Sequence, residues 1–287
     1  MLWGLMWWLG VTPRAELGFA IFGTMGMYFP GVAAMLVRTL VSRDASGSGL
    51  FVVGRRGYYA WAWLLFPMLI ALTLVVSLLS GWAQPDTAFS QLRDLFVRAN
   101  SPVPASLTRF AWGQLLTALA LGVPVHAITT IGEELGWRDF LLPRLIRIGF
   151  KEWTALVMTG IVWGLWHIPV ISMNLEYVGH PYLGIPMFVV YTVLVGVVLG
   201  WLQLASGSVW VPAIAHGSIN AVQRAELVFV TGYNPLIAGP LGSLCGWIPL
   251  AAFIGWLAWT RRVPVGSVAA SLASRAESRA QVPVSGW

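Results

Sequence analysis

Long runs of apolar residues, separated by short polar segments, make up most of this chain. A helix needs about 20 apolar residues to cross the hydrocarbon of a bilayer. Runs of about that length predict membrane spans near residues 17–37, 58–82, 106–135, 152–172, 183–204, 208–230 and 239–260. The pattern therefore predicts an all-α fold, a polytopic transmembrane helical bundle of about seven spans, with six to eight as the range.

The segments between and after these runs complete the organisation. Residues 140–151 mix apolar and basic positions, which predicts a short amphipathic helix on the membrane interface. The segment after residue 262 is rich in Ser, Ala and Arg and predicts a flexible tail. We therefore divide the chain into four parts: an N-terminal membrane region with two spans and an outer loop (1–105), a helical core (106–230), a last span (231–262) and a disordered cytoplasmic tail (263–287).

The composition supports the same class of protein. The chain is 57% hydrophobic and 10% charged, whereas a soluble protein carries about a quarter charged residues. Its formal net charge is +6. The basic residues responsible lie in predicted loops, where they orient a membrane protein against an anionic leaflet. We expect the lipid bilayer as a partner and no nucleic acid. The single cysteine, Cys245, excludes an internal disulfide.

Three basic clusters give an orientation. They lie between the first two spans, after the third and after the last: Arg38, Arg43, Arg55 and Arg56; Arg144, Arg147 and Lys151; Arg261 and Arg262. Because cytoplasmic loops are enriched in Lys and Arg, we predict an outside amino terminus and an inside carboxyl terminus. Arg93 and Arg98, in the loop at 83–105, mildly oppose this rule.

Two adjacent acids in the third predicted span carry the first polar motif. Glu134 and Arg138 are four residues apart, so they share a helix face and are predicted to form an ion pair. Glu133 is turned by about 100° from its neighbour, which leaves it free to act as the working carboxylate. Charges inside a membrane are costly and are kept for partners or for function. The alternative is an ion network that serves packing alone.

Two later spans each carry a polar pair one helical turn apart. Trp163 precedes His167, and His216 precedes Asn220, so each pair shares a face. Alone, either histidine is more simply explained as a hydrogen-bonded core residue. Together with the two acids, they predict one polar cavity. Glycines four apart predict close helix contacts around that cavity: Gly132 and Gly136, Gly160 and Gly164, Gly196 and Gly200.

A carboxylate with two imidazoles allows two routes to hydrolysis. Glu133, His167 and His216 can hold Zn²⁺, which lowers the pKa of bound water to about 7. Alternatively, Glu133 and His167 activate water directly, while His216 and Asn220 stabilise an oxyanion. No His-Glu-x-x-His motif occurs, which excludes the usual soluble zinc-protease arrangement. The residues leave a metal-dependent and a metal-independent mechanism equally open.

The ordered motifs Glu-Glu-x-x-x-Arg, aromatic-x-x-x-His and His-x-x-x-Asn resemble those of the CPBP family. That family comprises CAAX proteases and bacteriocin-processing enzymes of the Abi type, relatives of the prenyl-protein endopeptidase Rce1. The resemblance covers about residues 106–230. It implies that Glu133 and His167 position and activate the water, and that four residues support and complete the site: Glu134, Arg138, His216 and Asn220. The family is described both as metalloproteases and as glutamate proteases.

This chain departs from the family pattern at two positions. Trp163 stands where the family usually has Phe, and we expect it to keep an aromatic packing role. Asp139 stands where Gly commonly follows the motif arginine, and we expect its charge near the mouth of the site to affect substrate entry. His126 lies seven residues before Glu133 on about the same helix face and is a further candidate for the site.

The leading hypothesis is an intramembrane endopeptidase that hydrolyses peptide bonds in membrane-embedded or lipidated peptides and proteins. Its site would face the cytoplasmic half of a bacterial plasma membrane. An ion- or proton-coupled transporter is the alternative from another class, because intramembrane Glu, His and Arg also build ion relays. The chain shows no paired inverted repeats that would favour transport. A catalytically silent bacteriocin-immunity protein is a third reading.

Overall fold

The computed structural model describes residues 16–41, 49–174, 176–177, 179–223 and 226–263. The predicted tail therefore lies outside the described residues from position 264 onward, as does Arg43 of the first basic cluster.

The described part of the chain is almost entirely helical. Its α-helices, in chain order, are α1 (Glu16–Leu36), α2 (Tyr58–Leu79), α3 (Ser90–Arg98), α4 (Leu107–Thr117), α5 (Val123–Gly136), α6 (Leu142–Arg147), α7 (Glu152–Trp166), α8 (Ile168–Ser172), α9 (Pro181–Ser206), α10 (Trp210–Val222) and α11 (Leu244–Trp259). π-helical turns occur at Val37–Val41, Ala118–Gly122 and Trp137–Leu141, and short 3₁₀ turns at Gly49–Phe51 and Glu226–Phe229. Two short antiparallel strands, β1 (Gln84–Pro85) and β2 (Val230–Thr231), pair with each other.

Within the residues described, four helices are long and apolar enough to cross a membrane: Gly23–Val41, Tyr58–Leu79, Leu107–Arg147 and Pro181–Ser206. The shorter helix Leu244–Trp259 is also apolar. An all-α membrane protein is therefore confirmed. The number of about seven spans stays a prediction, because the runs at 152–172 and 208–230 form broken or shortened helices.

The interfacial helix predicted at 140–151 takes a different form. The π-turn Trp137–Leu141 joins α5 to α6, so one helix runs from Leu107 to Arg147 without a break. Leu142 is 1% exposed and packs against α9 at Gly200, which ties this last part to the bundle. The prediction that residues 140–151 form a helix separate from the third span is therefore wrong. It arose because the basic residues of α6 were taken as the start of a new helix.

The glycine pairs lie where helices approach most closely. A Cβ atom at Gly132 would be 2.5 Å from the Cα atom of Tyr28 in α1, and one at Gly196 in α9 would be 3.1 Å from the Cα atom of Gly160 in α7. In both places the obstacle is backbone, which cannot rotate aside. The prediction that these glycines allow close packing around the polar residues is confirmed.

The helix ends that carry the basic clusters lie together at one end of the bundle, called here the basic end. Arg38, after α1, binds Asp139 at 2.9 Å, and the backbone nitrogen of Arg55 donates to Ser206 at the end of α9 at 2.8 Å. The end of α11, near Arg262, packs beside the start of α2. The structure thus agrees with placing all three clusters on one side, and which side is cytoplasmic stays a prediction.

A small cap covers the opposite end of the bundle and consists of β1, α3 and β2. Leu92 of α3 is buried in an apolar cluster with Leu107 at the start of α4. Asp86 precedes α3 and accepts hydrogen bonds from the Ser90 hydroxyl at 2.7 Å and the Gln91 backbone at 3.3 Å. Burial raises the pKa of the Asp86 carboxyl, but these hydrogen bonds outweigh burial and hold it below its usual value.

Candidate active site

Contacts between α5 and α10 set the geometry of the site. The hydroxyl of Thr130 donates to the carbonyl of Ala213 at 3.0 Å. Gly217 lies so close to α5 that a Cβ atom there would be 2.6 Å from the nitrogen of Ala127. Because the two helices are joined in this rotation, the inward face of α10 lies opposite the acids of α5.

Glu134 is the centre of a buried ion network. Its Oε1 atom accepts hydrogen bonds from Nη1 of Arg138 at 2.9 Å and from Nδ1 of His216 at 2.8 Å. The side chains of Glu134 and Arg138 are both 0% exposed. The predicted ion pair is confirmed. Since a carboxylate can only accept, Nδ1 of His216 carries a hydrogen, and the neutral form of the ring then has its lone pair on Nε2.

Glu133 has a different partner, as the helical spacing predicted. Its Oε2 atom accepts a hydrogen bond of 2.7 Å from the indole nitrogen of Trp163. The residue is 2% exposed, and its Oε1 atom makes no hydrogen bond within the described part of the chain. Glu133 therefore presents one bonded and one unbonded oxygen. Glu134 receives both of its partners on Oε1, and its Oε2 atom is buried without a hydrogen bond among the residues described.

His167 lies at a break between two helices that the sequence predicted as one span. Pro169, the second residue of α8, lacks a backbone N–H and favours the break. His167 caps the end of α7, and its Nδ1 atom is 3.0 Å from the carbonyl oxygen of Trp163. That oxygen is an acceptor, so Nδ1 carries a hydrogen, and the neutral form of the ring then has its lone pair on Nε2. The half-buried ring packs 4.9 Å from Phe188 of α9.

Trp163 connects these groups to one another. Its ring centroid lies 4.4 Å from the guanidinium carbon of Arg138, 5.1 Å from the ring of His216 and 5.9 Å from the ring of His167. The sequence predicted only a packing role for this residue. The hydrogen bond to Glu133 was missed, although the replacement of Phe by Trp was the signal that pointed to it.

Asn220 and His126 lie beside this cluster. Asn220 is half-buried one turn beyond His216 on α10, and it makes no hydrogen bond to any residue that the structure describes. His126 is half-buried on α5, near enough to His216 for their charges to interact. The predicted role of Asn220 in completing the site stays a prediction, and so does any contribution of His126.

Asp139 faces away from the acids and fastens α1 to the helix that carries them. Its Oδ2 atom lies 2.9 Å from Arg38, its backbone oxygen accepts from the same guanidinium at 2.8 Å, and the backbone nitrogen of Gly49 donates to Oδ1 at 3.1 Å. The charge that this chain has in place of glycine is therefore paired. Its predicted effect on substrate entry remains a prediction.

The three predicted metal ligands are not gathered as a ligand set. In the described ranges, no three side chains of His, Cys, Asp or Glu lie close enough to hold a metal ion. Each of the three side chains has one atom bound elsewhere: Nδ1 of His216 by Glu134, Oε2 of Glu133 by Trp163, and Nδ1 of His167 by the carbonyl of Trp163. The remaining donor atoms, Nε2 of both histidines and Oε1 of Glu133, are of the types that Zn²⁺ binds. Their residues do not lie close enough together to hold the ion.

Comparisons with known proteins point to one family. The family model described as type II CAAX prenyl endopeptidase Rce1-like matches residues 111–222, a segment that contains all six residues predicted for the site. The chain is 25% identical over 218 residues to the CAAX prenyl protease 2 of Arabidopsis thaliana. This match covers 70% of the chain and 66% of that relative, slightly less than two thirds of its length. The resemblance indicated by the sequence motifs is confirmed.

Proposed function

From this resemblance to the Rce1-like CAAX prenyl endopeptidases, we propose that the protein is an intramembrane endopeptidase. One observation carries the proposal: the adjacent buried acids have separate partners, Arg138 and His216 for Glu134, and Trp163 for Glu133. Glu134 binds two partners through Oε1, and its Oε2 atom is buried without one among the residues described, so this acid is enclosed by the ion network. Within the same residues Glu133 is bound only by Trp163, through Oε2, which leaves its Oε1 atom for chemistry.

In the proposed reaction, Glu133 is the general base. Its Oε1 atom removes a proton from water, and the resulting hydroxide oxygen bonds to the carbonyl carbon of the substrate. Because one hydrogen of the water passes to Glu133, only the other can be donated, and it is accepted by an unprotonated histidine Nε2, that of His167 or that of His216. When the C–N bond breaks, the proton on Glu133 passes to the leaving amine, which returns Glu133 to its ionised form.

The tautomer of His216 changes its expected role. A ring with hydrogen on Nδ1 and a lone pair on Nε2 presents an acceptor, so neutral His216 cannot donate to an oxyanion through Nε2. The uncommitted amide of Asn220 is then the donor that stabilises the oxyanion. Glu134 holds His216 in this tautomer, as a carboxylate does for the histidine of a hydrolytic triad.

The proposed reaction uses no metal ion, since Glu133, His167 and His216 do not lie close enough together in the described structure to hold one. The substrate that fits is a membrane-associated or lipidated peptide. The site lies among apolar helices, and the acids are 2% exposed or less. A segment already held in the bilayer reaches such a site at lower cost than a free soluble chain. Lipidated substrates also agree with the prenyl endopeptidase description of the matching family.

A cleavage assay tests this function. Purified protein in liposomes is given a library of lipid-tethered peptides that includes prenylated carboxyl-terminal sequences. Wild type should cleave at least one class of peptide, and Glu133→Gln should reduce the rate by about 100-fold or more. Asp94→Asn, at an exposed position of α3, is the control. Equal cleavage by wild type and Glu133→Gln would contradict the proposal.

A further inference from the structure

Trp163 makes a contact that the aromatic residue expected at its position cannot make. It is 3% exposed, stacks on Arg138 and donates its indole N–H to Glu133 at 2.7 Å. A phenyl ring would keep the stacking on the guanidinium, because both rings present a negative face to a cation. Only the indole has a donor for the carboxylate. The hydrogen bond is therefore particular to tryptophan.

Arg138 has donors that compete for Glu133. Its Nη1 atom binds Glu134, while Nε and Nη2 have no acceptor among the residues described. Glu133 is near enough for its charge to act on Arg138. Unpaired N–H groups of a buried cation attract a free carboxylate strongly. A Glu133 side chain bound to Arg138 would be a weak base, since its proton-accepting oxygens would be engaged.

We propose that Trp163 is a positioning residue for the general base. Its indole N–H holds Oε2 of Glu133 away from Arg138, and this leaves Oε1 directed at the water. Its ring face at the same time occupies the space over the guanidinium. This inference rests on the proposed function of Glu133, but the hydrogen bond itself can be tested without any activity.

The first test observes the hydrogen bond directly. Protein labelled with ¹⁵N in its indole groups contains 17 tryptophans, and the signal of Trp163 is the one that Trp163→Phe removes. Glu133→Gln should move that signal, because an amide oxygen is a weaker acceptor than a carboxylate. Asp94→Asn should leave it in place. An unmoved signal in Glu133→Gln would overturn the inference.

The second test measures catalysis with the donor removed. Trp163→Phe should lower kcat by about 10- to 100-fold, the size expected for one hydrogen bond to a charged group. KM should stay unchanged, because substrate contacts are not altered. Trp166→Phe, three residues later on the same helix, is the matched control and should keep kcat.

An isosteric replacement separates positioning from packing. Benzothienylalanine at position 163 keeps the shape of the indole and replaces its N–H by sulfur. It should reproduce the loss in kcat with the Tm of wild type, even where Trp163→Phe folds poorly. If wild type is active and Glu133→Gln is inactive, but the benzothienyl protein keeps full kcat, the inference fails and the proposed function stands. If Glu133→Gln is also active, the proposed function fails instead.

Discussion

His216 binds Glu134 rather than Glu133: the Nδ1 atom of the histidine lies 2.8 Å from Oε1 of this second acid. Glu134 was predicted to support the site only through Arg138. It also fixes the orientation and tautomer of a histidine on a different helix. In the proposed reaction the two acids therefore have different roles: Glu134 orders the imidazole and Glu133 acts as the base.

Replacing Glu134 should impair both folding and catalysis. Glu134→Gln leaves the buried Arg138 without a counter-charge, which typically costs about 3–5 kcal/mol when a buried pair loses one partner. The new amide can donate as well as accept, so it no longer fixes the hydrogen of His216 on Nδ1. We therefore expect kcat to fall by about 100-fold in the protein that still folds. Tm and kcat measured on the same preparation check this. A variant with wild-type Tm would show that the ion pair is not needed for stability.

The close contact between α1 and α5 should require a residue without a side chain at Gly132. Gly132→Ala places a Cβ atom 2.5 Å from the Cα of Tyr28, so α1 must move away, at a cost of about 1–3 kcal/mol. Gly113→Ala is the matched control on α4, since a Cβ there meets no atom within 4 Å. We expect a lower Tm for the first variant and an unchanged or higher Tm for the second. Equal shifts would contradict the packing described here.

The ion pair between Arg38 and Asp139 should be measurable as a coupling energy. Their side chains are 15% and 11% exposed, so water screens the pair less than at an open surface. A double-mutant cycle with Arg38→Gln and Asp139→Asn should give a coupling of about 1–2 kcal/mol in the free energy of unfolding. Arg56→Gln, at an exposed position of the basic end, should show no coupling with Asp139→Asn.

The cap should lose stability in acid through Asp86. Because its pKa in the folded protein lies below the usual value, the ionised carboxyl stabilises the folded state, and this stabilisation is complete above about pH 4–5. It is lost as the pH falls through the lowered pKa. Asp86→Asn should therefore reduce hydrogen-exchange protection at the start of α3 at pH 7, and the difference from wild type should narrow progressively as the pH falls below about 4. A difference that stays constant as the solution is acidified would exclude titration of Asp86 as the cause.

Chelation tests the metal-free mechanism. We expect cleavage to continue unchanged after dialysis against a strong chelator, because Glu133, His167 and His216 do not lie close enough together in this arrangement to hold a metal ion. The measurement is kcat before chelation, after it, and after Zn²⁺ is restored. Loss of activity that Zn²⁺ alone restores would require the three side chains to rearrange around a metal and would contradict the proposed reaction.

Residue spacing within one predicted helix was enough to predict some features of the site and its packing. The ion pair of Glu134 with Arg138 follows from a separation of four residues, and the close approach at Gly132 follows from a missing side chain. The partner of His216 could not be predicted this way. It depends on the rotation of α10 against α5, which is set by the bond from Thr130 to Ala213 between residues far apart in the chain.

Two errors of prediction have local causes that are visible afterwards. Apolar composition does not distinguish a continuous span from a broken one, and the break at His167 depends on Pro169 two residues later. Basic residues after Arg138 suggested a new helix on the membrane surface. A π-turn lets the existing helix continue, and hydrogen bonding of that kind has no clear signature in the sequence.

Arg138 and Asp139 are consecutive residues of that π-turn, and they belong to different networks. The first binds the acid that orders His216, and the second binds the end of α1. The end of α1 is thus linked to the imidazole through two ion pairs, one peptide bond and one hydrogen bond. A molecule that displaced the end of α1 would therefore disturb the residues proposed for catalysis through this short series of contacts.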